Sequence, residues 1–226
     1  MKKFSFSGLN ERTNKEQILA KVRNAVITKD ENLFSDINLQ NDTWKPFTKE
    51  DGREFTFIER FKDNDGIFMY FENDRNFIDA LKQYIVENQW NPLFCTSPGI
   101  KTFLEANEAG IELCHDFSTE CKKITCITDC ECLVAQTGSI VISDKCAGSK
   151  DAFSKADTLL VFAKPSQLVD GMKDALTFVK EKYGKMPDTT TILSGPSRSI
   201  EFDNQLVIGA QGIRQIALFF VDDEII

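Results

Sequence analysis

From Asn88 onward, short apolar runs alternate with stretches of helical periodicity, and this alternation constrains the fold more than any other feature of the chain. The apolar runs are Pro92 to Cys95, Ile111 to Cys114, Lys123 to Ile127, Cys132 to Ala135, Ser139 to Ile142, Thr158 to Ala163, Thr190 to Leu193, Gln205 to Ile208 and Gln215 to Asp222. Helical patterns separate them from Pro98 to Ala109 and from Ser166 to Tyr183. Strands that are apolar along their whole length need cover on both faces, and strand-helix alternation supplies it through crossover helices. The reading is an α/β protein with a mostly parallel sheet. The two closely spaced runs around Gly138 predict an antiparallel portion within it.

The earlier part of the chain is less regular. Thr13 and Glu16 have the spacing of a capping box, followed by Ile18, Leu19, Val22, Ala25 and Val26 at helical intervals. Asp30 to Asp51 is irregular and polar, with Trp44, Pro46 and Phe47 as packing anchors. Residues 1–50 therefore read as a helical and irregular arm, and residues 51–226 as the α/β domain. Within that domain, Phe55, Phe57 and Phe61 suggest a strand from Glu54 to Phe61. Asp63-Asn64-Asp65-Gly66 is a turn signal, and Ile67 to Phe71 reads as the hairpin partner. Asp74 opens a helix through Phe77, Ile78, Leu81, Tyr84, Ile85 and Val86.

Charge narrows the choice of partner. The chain of 226 residues carries a formal net charge of −8 and no long basic run, so a polyanion such as nucleic acid is repelled at long range. Lys2 and Lys3 are not followed by an apolar leader, and no run approaches the length of a membrane span. The expected location is the cytoplasm.

There are 7 cysteines. In a chain without a leader they read as free thiols rather than a disulfide framework. Cys114, Cys121, Cys126, Cys130 and Cys132 crowd one region beside His115, yet none forms the C-x-x-C step that lets two thiolates converge on one centre. No metal is expected. A Cys114–His115 nucleophilic pair is disfavoured too, because neighbours on an extended chain point to opposite sides.

Two polar loops carry the chemistry that remains. Gln136-Thr137-Gly138-Ser139 lies between two apolar runs, either as a simple bend or as a ligand loop at a strand end. Ser194-Gly195-Pro196-Ser197-Arg198 follows a strand and gathers hydroxyls, a flexible glycine and a guanidinium. Such a loop can hold a carboxylate or phosphate. It can equally be a Gly-Pro turn whose arginine pairs with Glu201 or Asp203. Gly209-Ala210-Gln211-Gly212 lacks the spacing and the following helix of a dinucleotide fingerprint.

The stretch SGPSRSIEFDNQLVIGAQGIRQIALFFVD, from Ser194 to Asp222, resembles the carboxyl-terminal signature of the LutC/YkgG proteins of the lactate-utilisation (LUD) domain family. Ile127-Thr128 to Ser139 resembles the family's stretch leading into a Thr-Gly loop, and the likeness covers roughly residues 90 to 223. It departs from the common pattern in three places. Gln136 replaces a frequent Glu, Gln211-Gly212-Ile213 replaces a frequent His-Gly-Pro, and the acidic pair is Glu201 and Asp203 rather than Asp and Glu. A neutral Gln136 can hydrogen-bond a ligand but cannot act as a base or carboxylate nucleophile.

The resemblance implies a three-layer α/β/α Rossmann-like sandwich of the NagB/RpiA/CoA-transferase-like group. It also implies a subunit that helps oxidise L-lactate to pyruvate, with iron–sulfur clusters carried by partner oxidoreductase subunits and no cofactor in this chain. The implied ligand-binding residues are Gln136, Thr137, Gly138, Ser139, Ser194, Gly195, Ser197, Arg198, Glu201 and Asp203, with a small anion as ligand. The rival expectations are a free-standing CoA-transferase-like or sugar-phosphate-isomerase-like enzyme, with Glu201 or Asp203 as its carboxylate, and a purely structural interaction protein.

Overall fold

A computed structural model describes residues 52–90, 92–115, 123–149, 155–200, 206–209 and 212–222. The proposed arm, including the Thr13 helix and Trp44, lies outside them, as do Glu201, Asp203, Gln211 and Cys121.

The main sheet has six strands, all parallel, in the order β1-β12-β7-β4-β2-β3. These are β1 (Ile67–Phe71), β2 (Leu93–Phe94), β3 (Leu113–Cys114), β4 (Thr125–Asp129), β7 (Thr158–Ala163) and β12 (Gln215–Val221). A second sheet of four strands runs β8-β5-β6-β9, from β5 (Cys132–Val134), β6 (Ser139–Ser143), β8 (Leu168–Val169) and β9 (Thr190–Leu193). Here β6 is antiparallel to both β5 and β9. A small hairpin joins β10 (Arg198–Ile200) to β11 (Leu206–Ile208). The expected mostly parallel α/β architecture is present, and the antiparallel portion forms a sheet of its own.

Side-chain alternation explains how the two sheets pack. Leu159 and Val161 of β7, with Ile216, Leu218 and Phe220 of β12, join Leu133, Ile140 and Ile142 of the second sheet in one core cluster. Leu160 and Phe162, with Ala217, Phe219 and Val221, point the other way and meet α2 (Asp74–Glu87) and α3 (Pro98–Ala106) in a second cluster. The outer face of the second sheet, Cys132, Val134 and Val141, is covered by α5 (Met172–Tyr183) through Ala175 and Val179. Period-2 burial on central strands requires cover on both sides, and each face has it.

Three local expectations are corrected. Residues Arg53–Asp63 form helix α1, not a strand. Phe57 and Phe61 are fully buried and stacked at 5.5 Å, whereas Phe55 is 62% exposed. The buried spacing is thus four, a helical interval, and the apparent alternation fails at exposed Phe55. Strand β1 is accordingly no hairpin partner of residues 54–61: it pairs in parallel with β12, at the far end of the chain. Finally, the helix expected from Ser166 begins only at Met172. A 3-10 turn (Pro165–Gln167) and β8 occupy the start, because β8 pairs with β5.

Candidate functional site

The two polar loops come together. Thr137 Oγ1 and Ser139 Oγ lie 2.6 Å apart, and Ser139 Oγ lies 2.6 Å from Ser194 Oγ. This chain of three hydroxyls runs from half-buried Thr137 through fully buried Ser139 to exposed Ser194. Strand register brings it about, since β6 and β9 are antiparallel with Ile140 opposite Leu193, so the residue before one meets the residue after the other.

Both loops are pressed against the end of α1. A Cβ on Gly138, at φ +61°, would stand 2.4 Å from the Phe61 backbone nitrogen, and one on Gly195, at φ +89°, would stand 2.0 Å from Asn64 O. Glycine is needed at both positions for conformation and for space. Asn64 Nδ2 donates to Thr137 O at 3.0 Å, tying the turn after α1 to the first loop. Gln136 is half-buried, and its backbone N–H donates to Asp170 O at 3.0 Å. Ser197 N–H donates to Ile213 O at 2.8 Å, so the second loop is also fixed to the approach to β12.

Arg198 has a partner other than those considered from sequence. Its guanidinium donates to Asp65 Oδ2 at 2.5 Å, with both side chains substantially exposed. Asp65 belongs to the turn between α1 and β1. An anion binding at Arg198 therefore competes with an exposed ion pair, an interaction worth only about 0–1 kcal/mol.

Just beyond the first loop's incoming strand lies a buried carboxylate that the sequence reading passed over. Glu131 is fully buried and accepts from Lys182 Nζ at 2.8 Å, from Tyr183 Oη at 2.9 Å and from Ser143 Oγ. Burial pushes its carboxyl up, but Lys182, Ser143 and Tyr183 outweigh that and hold it below its ordinary value. With its acceptor sites occupied, Glu131 anchors the end of α5 to the second sheet.

A second polar feature lies at the carboxyl end of the main sheet, where β2 and β4 are neighbours. The chain leaves β2 into α3 on one face and leaves β4 toward β5 on the other. Such divergence points are where open α/β sheets bind ligands. Ser97, buried at the start of α3, donates from Oγ to Asp129 Oδ1 at 2.7 Å and accepts from Ile100 N–H. Burial pushes the Asp129 carboxyl above its ordinary value, although the Ser97 hydrogen bond works against it. A cavity of about 230 Å³ adjoins it, with Gly99, Phe103, Phe162 and Lys164 among its walls. Ser97 and Asp129 are 32 residues apart, and no local spacing could have linked them.

A larger cavity of about 500 Å³ lies between α3 and the edge strand β3, by His115 and Glu105. Its wall also holds Lys101 and Glu108, and Lys101 lies 4.0 Å from Glu105 as an exposed pair on one helix. Five of the described cysteines are unreactive. Burial pushes the Cys95 thiol up to about 11 and those of Cys132 and Cys146 to about 12, with Cys126 and Cys130 also raised, so all five stay protonated at neutral pH. His115 Nδ1 is engaged by Cys95 O. Among the described residues no group of three or more His, Cys, Asp or Glu side chains could hold a metal ion, and no helix is long and apolar enough to cross a membrane.

The parallel main sheet, with helices on one face and a mixed second sheet on the other, defines an open α/β protein with polar loops at its strand ends. Residues 124–221 match the family model of the LUD domain. Both polar loops and Asp129 fall inside it. Among solved structures, the chain is similar to a DUF162 family protein from Deinococcus radiodurans, with a TM-score of 0.56 and 16% sequence identity. The similarity covers 78% of this chain and 99% of that one, and at this identity it speaks for the fold. No curated protein sequence matches.

Proposed function

We propose that this chain acts in L-lactate utilisation as a non-cluster subunit, working with iron–sulfur oxidoreductase partners in the oxidation of L-lactate to pyruvate. Its part is to bind a small anionic ligand and to support assembly of the complex. The observation that carries the reading is the LUD domain match over residues 124–221, whose two signature loops meet at the Ser139–Ser194 hydroxyl contact. A neutral amide at Gln136 and three hydroxyls suit holding a polar group better than acid–base catalysis at that place. In this reading Ser194, Ser197 and Arg198 receive the ligand, and Asp65 is the group it displaces from Arg198.

Co-purification tests this. The tagged chain, expressed in its own cell, is expected to bring down iron–sulfur proteins whose clusters are reduced on adding L-lactate. Recovery of the chain alone, with lactate oxidation undiminished in cells that lack it, sinks the proposal. Turnover of a CoA ester or sugar phosphate by the isolated chain would replace it with the free-standing enzyme reading.

A further inference from the structure

The main sheet ends at β1, and that end is built unlike the other sheet edges. We propose that two copies of this chain join along it, β1 against β1 across a two-fold axis, so that the two main sheets run together as one. The inference goes beyond the lactate reading and holds whatever ligand the polar loops receive.

The two larger sheets end at β1, β3, β8 and β9 among the described residues. Strands β3 and β8 are 2 residues long, and so short an edge offers little for another chain to pair with. Strand β9 has 4 residues, Thr190 and Thr191 among them. Strand β1 has 5, Ile67-Phe68-Met69-Tyr70-Phe71, with no charge and no proline to guard it. Ile67 is 39% and Tyr70 52% exposed, so large side chains stand in water on both faces of this edge.

The backbone at this edge has a defined polarity. Phe71 O accepts from Asp222 N–H at 2.9 Å, and β1 pairs in parallel with β12. Successive residues of a strand aim their N–H and C=O groups to opposite sides. Ile67, Met69 and Phe71 therefore serve β12, while Phe68 and Tyr70 offer theirs outward. A second β1 running antiparallel matches this pattern. With Met69 on the axis, Phe68 of one copy and Tyr70 of the other exchange both hydrogen bonds, and the axis repeats the exchange. Every residue of the strand then faces an apolar or aromatic one. Beyond them Asp65 faces Asn73 and Gly66 faces Glu72, so no like charges stand opposite each other. Asp65 is already balanced by Arg198. Sliding one strand by two residues sets Asp65 against Phe71 or Glu72 against Phe68, so the hydrophobic pattern fixes the register. This self-match singles out a second copy as the occupant, because a closed two-fold contact uses the same patch twice. The net charge of −8 on each copy opposes approach, and added salt screens it.

Sedimentation velocity on the full chain, from micromolar to submillimolar concentration, is expected to show a reversible monomer–dimer equilibrium that tightens with added salt. Tyr70→Pro removes an N–H that serves only the second copy, and is expected to raise the dimer Kd by about tenfold or more. Tyr70→Phe should leave it little changed. Cross-linking gives a second readout that does not depend on how the strand takes a proline. A non-hydrogen-bonded antiparallel pair has its Cα atoms about 4.5 Å apart, within disulfide reach. With oxidised glutathione as oxidant, Met69→Cys is therefore expected to form a linked dimer that the parent chain does not. Tyr70→Cys, about 7–8 Å from its equivalent across the axis, is expected to behave as the parent. A chain that stays monomeric throughout the range overturns the proposal. So does a mass that climbs past the dimer, an assembly weakened by salt, a Kd unmoved by Tyr70→Pro, or linkage in the Tyr70→Cys variant in place of the Met69→Cys variant. A monomer whose Phe68 and Tyr70 amides resist hydrogen exchange would likewise overturn it, by assigning the edge to another part of the same chain. None of these outcomes touches the lactate reading, whose test is the co-purified partners.

Discussion

Two carboxylates two residues apart, Glu131 buried and Asp129 half-buried, are handled in opposite ways. Glu131 accepts from three side chains and Asp129 from one. Replacing Lys182 with Met leaves Glu131 buried without its cation. Breaking a buried pair from one side costs about 3–5 kcal/mol. Because Lys182 is 44% exposed and Tyr183 and Ser143 remain, we expect about 2–3 kcal/mol here, read as a lower urea midpoint. The two acids also oppose each other in pH. Glu131, held below its ordinary value in the folded state, contributes stability above its unfolded value that is lost as pH falls through the folded one. Asp129 is raised, so its ionised form costs stability once pH rises through the folded value. Asp129→Asn keeps an acceptor for Ser97 and removes that cost. Its melting temperature should exceed the parent's by a few degrees at pH 7 to 8, with the gap closing toward about pH 4, near the unfolded aspartate value. A gap that widens on acidification would contradict this assignment.

At the scale of elements, α1 sets the shape of the loop junction. Its carboxyl end presses on Gly138, and the turn after it presses on Gly195. Gly195→Ala adds a left-handed penalty of about 1–2 kcal/mol to an overpacking cost of about 1–3 kcal/mol. Thermal unfolding should therefore show a loss of about 2–5 kcal/mol, and Gly138→Ala a similar one. Phe61→Ala should cost about 3–5 kcal/mol, because the ring is fully buried and stacked on Phe57. Strands whose apolar runs are continuous, such as Thr158–Ala163, were legible from sequence because burial on both faces leaves an unbroken pattern. Helix α1 was not, because Phe55 supplied a spurious alternation. The meeting of residues 136–139 with 194–198 rested on resemblance, and the register of β6 against β9 supplies its geometry. Arg198 with Asp65, and Ser97 with Asp129, were invisible because the partners are remote in sequence.

For the molecule as a whole, the main sheet serves two cores at once, one toward α2 and α3 and one toward the second sheet. Strands β7 and β12 contribute to both, whereas β3 spans two residues at the sheet edge and β10-β11 is a separate hairpin. Local opening follows such differences in burial. Hydrogen exchange is expected to be slowest in β4, β7 and β12, with β3 and the hairpin exchanging orders of magnitude faster. Fast exchange in β7 would mean that the two cores do not support each other.

The parallel pairing of β12 between β1 and β7 also has a consequence for synthesis. Strand β1 emerges from the ribosome long before β12, its only sheet neighbour among the described residues. Until Gln215–Val221 arrives, the inner edges of both β1 and β7 lack their mate, with apolar side chains exposed alongside. A nascent chain of this kind is a natural client for holdase chaperones, and a premature stop before Gln215 removes a central stave of the sheet.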